Sequence, residues 1–184
     1  MFESFARKGI EKFEREWDYD ASYMRDILDA GGMPAIMAVQ GVQKMAQYRE
    51  DIPPGPYYAA GIASVQRADC GPCTQLGVRM AERAGVSPEV LRAVLQSDVD
   101  ALPPDERLAY EFAIATLEHA AIAGELRARI VERWGERGLV SLAFTITAGQ
   151  IWPTLKYALG HGQACVRVRV GETELTASAA SRPT

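Results

Sequence analysis

Cysteine and histidine are scarce in this chain: three and two of the 184 residues. A structural zinc site needs four ligands, usually from two ligand pairs. Outside one Cys pair the only candidates are Cys165, His119 and His161, and they stand at no recognisable ligand spacing. Three cysteines also exclude a disulfide scaffold and fit a reducing cytoplasm. An excess of positive charge is lacking too, since 20 basic residues face 24 acidic ones for a net charge of −4. That leaves no basic field for nucleic acid. No apolar run reaches membrane-spanning length. The first turns, with Glu3, Arg7, Lys8 and Glu11, lack the apolar core of a secretory signal. The expectation is a cytoplasmic protein that engages neither nucleic acid nor membrane, with no metal and no cofactor. At this length it forms one domain able to bury a substantial core.

What is present is a dithiol motif, Cys70-Gly71-Pro72-Cys73, opening a helical pattern. Two cysteines three positions apart at a helix start place both sulfurs on the first turn. There the positive end of the helix dipole favours a thiolate, and the spacing lets the pair close into a disulfide. Two other readings stand beside the reversible dithiol: a zinc half-site and a pair of inert, buried thiols. Asp69 is well typed as the N-cap of the helix, although its charge opposes a thiolate on Cys70.

The rest of the chain reads as helices separated by clear breaks. Phe2, Phe5, Ile10, Phe13 and Trp17 fall at roughly helical spacing over 2–17, read as a core or inter-subunit stripe rather than an aromatic ligand box. A second helix over about 21–28 stops at Gly31-Gly32, and Pro34 starts a third through Ile36, Val39, Val42 and Met45. The run Ile52-Pro53-Pro54-Gly55-Pro56 predicts a stiff connector that divides an N-terminal helical arm, 1–52, from a helical domain over 57–160. Within that domain a helix over 57–68 leads into the Cys motif. The Cys helix runs to Gly85, Ser87-Pro88-Glu89 caps the next, and Pro103-Pro104-Asp105-Glu106 starts another. His119 falls on the apolar face of that last helix and reads as a packed histidine at the core edge. The segment 139–159 is apolar nearly all round and is expected to be buried on most sides, with Pro153 breaking or kinking it. In the C-terminal extension, 161–184, Val166-Arg167-Val168-Arg169-Val170 alternates like a strand. A lone strand either pairs across an oligomer or is not a strand. From about Thr176 onward the composition is that of a mobile tail.

Three stretches together resemble the AhpD-like alkylhydroperoxidase group of the carboxymuconolactone decarboxylase superfamily. They are the helix into Cys70-Gly71-Pro72-Cys73, the segment Ala84-Gly85-Val86-Ser87-Pro88-Glu89, and the run from Gly138-Leu139-Val140-Ser141-Leu142 to Ile151-Trp152-Pro153-Thr154-Leu155. The resemblance spans roughly 57–160. It implies an all-α domain assembled as a homotrimer or homohexamer, and activity as an antioxidant thiol peroxidase or disulfide reductase. Carried over residue by residue, Cys73 is the sulfur that reacts with peroxide and Cys70 the one that resolves it. A thiol electron donor would then reduce the pair. The family's glutamate, twelve residues before the first cysteine, is Tyr58 here, and its histidine, four after the second, is Gly77. Pro153-Thr154 stands where relatives often carry Asn-Arg. Decarboxylases of the superfamily generally lack the Cys pair, which favours the redox branch. Thioredoxin shares Cys-Gly-Pro-Cys but needs strands that this sequence does not offer before residue 166.

Two functions follow. One is an oxidoreductase acting on a peroxide or disulfide through Cys73 and Cys70, with Tyr58 and Asp69 as supporting residues. The other is a helical oligomer that keeps the scaffold and binds a small molecule or protein. Tyr58 is a poor base near neutral pH, since a phenol ordinarily titrates near 10.

Overall fold

Gly32 and Gly135 interrupt the two longest helices of a chain that is otherwise helical along most of its length. A computed structural model describes residues 2–163 and 167–175. The elements are α1 (Phe2–Trp17), α2 (Ser22–Gln47), α3 (Pro54–Arg67), α4 (Gly71–Arg83), α5 (Pro88–Gln96), a single 3-10 turn (Val99–Ala101), α6 (Pro104–Leu117), α7 (Ala123–Ala158), β1 (Val168–Val170) and β2 (Thr173–Leu175). Gly32 (φ 61°) and Gly135 (φ 70°) take left-handed backbone within α2 and α7. Only glycine does so without a Cβ clash, so each long helix turns there. Among the described residues no helix is long and apolar enough to cross a membrane.

Helix α3 is the centre, packed against α6 and α7 and flanked by α4 and α5. Its buried face is made of Ala59, Ala60, Ile62 and Ala63, small side chains that let neighbouring backbones approach. The approach is closest at Gly149 of α7. A Cβ there would lie 2.6 Å from Ser64 Cβ and 3.3 Å from the Gly61 carbonyl oxygen. Around α3 one large core joins Val78, Leu91, Leu95, Phe112, Ile130 and Leu142. A second, smaller cluster gathers Ile10, Tyr19, Tyr23, Leu28 and Ile36 of the N-terminal arm against Trp152 and Leu155 of α7 and Leu76 of α4. Arg79 and Arg83 of α4 also reach the end of α1, at Asp18 and Glu16, each 2.7 Å away. Arg83 lies over the Trp17 ring, 3.7 Å from its centroid.

Several expectations are corrected. The Pro-rich connector is shorter than its composition suggests, because Pro54-Gly55-Pro56 forms the first turn of α3. First-turn amides have no intrahelical carbonyl, so proline costs nothing there. Helix α6 ends at Leu117, and His119 sits in the following turn at φ 54°, exposed rather than packed at a core edge. Segment 139–159 is buried on most sides, as its composition suggests, with Val140, Ala143, Thr147, Thr154 and Tyr157 forming one exposed stripe down α7. Pro153 does not break the helix, since Gly135 is the one non-helical residue inside α7. Within the alternating run Val168–Val170 form a strand with a partner in their own chain: Val168 pairs with Leu175 and Val170 with Thr173, antiparallel. Val168 and Val170 point into the large core, which supplies the burial a two-stranded ribbon lacks by itself. The expectations for Cys165, Val166 and the tail from Thr176 lie outside the described residues.

Lys156 of α7 is buried, 3 % exposed. Its Nζ lies 3.2 Å from the Tyr19 hydroxyl and 4.9 and 5.3 Å from the Tyr19 and Tyr23 ring centroids. Burial holds its pKa below the ordinary lysine value, with Asp20 opposing, and burial pushes Tyr23 up to about 12. Between the folded and unfolded lysine pKa values the unfolded chain binds more protons, so this residue makes stability rise with pH in that window. Below the window the cost of desolvating the ammonium is present in full. Lys156→Met removes that cost, and Tyr19 keeps a side-chain hydrogen bond with Tyr23. Urea unfolding at pH 7 should show the variant more stable by about 1–2 kcal/mol. The gain should shrink as the pH approaches about 10, where the unperturbed lysine titrates. A variant less stable at every pH would contradict this.

Candidate functional site

Helices α3 and α4 meet at a three-residue corner, Ala68-Asp69-Cys70, that fixes the cysteines. Asp69 takes φ 53°, and its amide donates to the Gln66 carbonyl at 3.0 Å. Cys70 is extended (φ −112°, ψ 98°) and occupies the N-cap position of α4. Asp69 therefore stands one residue before the cap; it is not the cap residue itself. A left-handed Asp69 is what turns the chain sharply enough to start α4 so soon after α3, and Asp tolerates that conformation better than most residues. Its carbonyl accepts the Tyr157 hydroxyl at 3.0 Å. The Cys70 carbonyl accepts both the Thr74 amide and the Thr74 hydroxyl, each at 2.9 Å.

The C-terminal extension docks on the same helix. The Gly71 amide donates to the Gln163 carbonyl at 3.1 Å. Gln75 bridges to β1, donating to the Arg169 carbonyl at 3.0 Å and accepting its amide at 2.7 Å. With Gly71 engaged and Pro72 lacking an N–H, little of the helix's positive end is left to a sulfur on the first turn. A dipole contribution is worth only about 0.3–1 kcal/mol in any case.

Cys70 and Cys73 are joined as a disulfide, their Cα atoms 5.3 Å apart. The two sulfurs are not equivalent. Cys70 is fully buried and Cys73 is 7 % exposed, and of the pair only Cys73 lines a cavity of about 1040 Å³. The cavity lies between the N-terminal arm and the helical core. Its walls come from Phe13 and Trp17 of α1, Met33 and Ile36 of α2, Tyr57 and Tyr58 of α3, Cys73, Leu76 and Met80 of α4, and Trp152 of α7. Gly77 lies one turn after Cys73 on the same wall, where a Cβ would meet Ile62 Cγ1 at 3.4 Å. Having no side chain, it leaves open the space an imidazole would occupy.

Among the described residues no histidine lines the cavity, and its one carboxylate is Glu16, held by Arg83 at 2.7 Å. Tyr58 is half-buried, and burial pushes its pKa up while Arg49 pulls the other way. A phenol raised above its usual value is a weaker acid and is ionised even less at neutral pH. Its neighbour Tyr57 donates to the Ala46 carbonyl at 2.5 Å and meets Tyr58 edge-on, ring centroids 5.3 Å apart. His161 lies outside the cavity, 2.7 Å from Asp26 and 3.2 Å from Ser22. Among the described residues no group of three or more His, Cys, Asp or Glu side chains is placed to hold a metal ion.

The chain matches no family model, no curated protein and no solved structure. Of the residues singled out in the sequence, Cys73 and Tyr58 share the cavity, Cys70 backs it through the disulfide, and Asp69 shapes the corner beneath. The arm residues Phe13 and Trp17 are also walls. Their four-residue spacing signalled a common helix face but not what that face covers. Arg49, at the junction before the prolines, carried no signal at all.

Proposed function

We propose that the protein is a thiol-dependent oxidoreductase, an AhpD-like peroxidase or disulfide reductase that cycles the Cys70–Cys73 pair. The observation that supports this most is the asymmetry of the disulfide: one sulfur faces an apolar cavity and the other is fully buried. In the peroxide reaction the Cys73 thiolate attacks the terminal oxygen of ROOH. The O–O bond breaks, the alkoxide leaves and takes a proton as ROH, and Cys73 becomes a sulfenic acid. The Cys70 thiol then attacks the Cys73 sulfur, expelling water and forming the disulfide. A dithiol donor returns two electrons and two protons and is itself oxidised to a disulfide. With a disulfide substrate, Cys73 attacks one sulfur to give a mixed disulfide, and Cys70 releases the second thiol.

The reading is tested by reduced protein given a mild oxidant. It should lose alkylatable thiols at Cys70 and Cys73 together and regain both with dithiothreitol. A Cys165→Ser variant should behave the same. Free thiols persisting at both positions under an oxidant that closes an ordinary dithiol would overturn it.

Assembly as a homotrimer or homohexamer belongs to the same proposal. Large apolar side chains stand exposed on the arm, with Phe2 at 77 %, Phe5 at 69 % and Met37 at 65 %, more than a monomer ordinarily leaves clustered. Sedimentation at micromolar concentration should show the larger species; a monomer would contradict it.

A further inference from the structure

The cavity is apolar along its walls but not electrically neutral. Among the described residues three cations line it, Lys12, Arg49 and Arg83, against the single carboxylate of Glu16. Glu16 and Arg83 neutralise each other at 2.7 Å. Among the described residues neither Lys12 nor Arg49 has an ion-pair partner within 4.0 Å. Both are exposed while still lining the cavity, so each stands where the cavity meets solvent. Arg49 is close enough to bias the titration of both Tyr57 and Tyr58. The cavity lining thus carries an excess of positive charge in a protein whose net charge is −4.

We propose that the cavity binds a single-chain amphiphile with an anionic head. The alkyl chain lies among Phe13, Met33, Ile36 and Trp152, and the head meets Arg49 where the cavity opens to solvent. A cavity of about 1040 Å³ is at the top of the usual range for one small ligand, roughly 300–1,000 Å³, and such sites pair apolar walls with a few placed polar groups. Arg suits a carboxylate because its planar fork donates two parallel hydrogen bonds. Binding of this kind goes beyond the redox function and does not depend on it.

Trp17 and Trp152 line the cavity and provide the readout. The oxidised protein is titrated with laurate, dodecanol and dodecyltrimethylammonium, each below its micelle concentration, while tryptophan emission is followed. Laurate should give a saturable change, with the cationic amphiphile at least about tenfold weaker, a difference of about 1.4 kcal/mol. Arg49→Gln, at an exposed residue with no ion pair to lose, should weaken laurate about fivefold to tenfold and leave dodecanol unchanged. Equal affinity for all three, or an Arg49→Gln effect that is the same on laurate and dodecanol, would overturn the charged-head assignment. No saturable change, or binding seen only to anionic lipid vesicles, would overturn the site. Laurate carries neither a peroxide nor a disulfide, so failure here with intact thiol cycling refutes this inference alone. Binding without thiol cycling refutes the redox function alone.

Discussion

Replacing Cys73 with serine is expected to reduce turnover of both peroxide and disulfide to the uncatalysed background. The cavity reaches one sulfur of the pair, and the other is fully buried, so Cys70 does not take over as nucleophile. Cys70→Ser should behave differently. The first half-reaction survives at Cys73 and gives one turnover, after which the enzyme stalls as a sulfenic acid or mixed disulfide because nothing resolves it. Both substitutions are nearly isosteric, and neither should unfold the protein. Multiple turnovers by Cys73→Ser would show that the reactive sulfur is misassigned.

The second large effect concerns activation of Cys73. Among the described residues no histidine lines the cavity and its carboxylate is engaged by Arg83, so the thiol has no base at hand. A thiol without a base to activate it ordinarily titrates at about 8.5. Only the few per cent present as thiolate at pH 7 then react, and the rate should climb about tenfold per pH unit until that pKa is passed. Introducing Gly77→His together with Tyr58→Glu supplies a base and a partner to orient it. A Cβ at residue 77 meets Ile62 at 3.4 Å, ordinary contact, and the ring extends into open cavity. A carboxyl in the half-buried place of Tyr58 would be pushed up by desolvation and pulled down by Arg49, as the phenol is. Together they should accelerate peroxide reduction by about a hundredfold at pH 7. If the unaltered protein is already fast at pH 7 and Tyr58→Phe slows it, the phenol serves as a relay and this account of Cys73 is wrong.

Periodicity and punctuation made most of the helices legible. The aromatic spacing in 2–17 and the Ser87-Pro88-Glu89 start correspond to α1 and α5 as observed, with the Ser87 hydroxyl accepting the Val90 amide at 3.4 Å. Less legible were features that depend on where neighbours pack. Proline density at 53–56 reads as a break, yet a first turn tolerates it, so α3 begins at Pro54. The apolar run of α7 hid a solvent face because Thr147, Thr154 and Tyr157 share it with Val140. The strand at 168–170 reads as lone because its partner, Thr173-Glu174-Leu175, has no alternating pattern of its own. For the site, the motif located the two cysteines but could not say which sulfur is reachable. That depends on the N-terminal arm, which is distant in sequence and forms half of the cavity wall.

The sulfur that a substrate meets can be identified directly. Reduced Cys70→Ser and Cys73→Ser proteins, each also carrying Cys165→Ser, are exposed under native conditions to an aromatic disulfide and mapped by mass spectrometry. The account predicts a mixed disulfide on Cys73 in the first protein. In the second it predicts no adduct on Cys70 until the chain is unfolded. Equal or faster labelling of Cys70 in the native protein would contradict it.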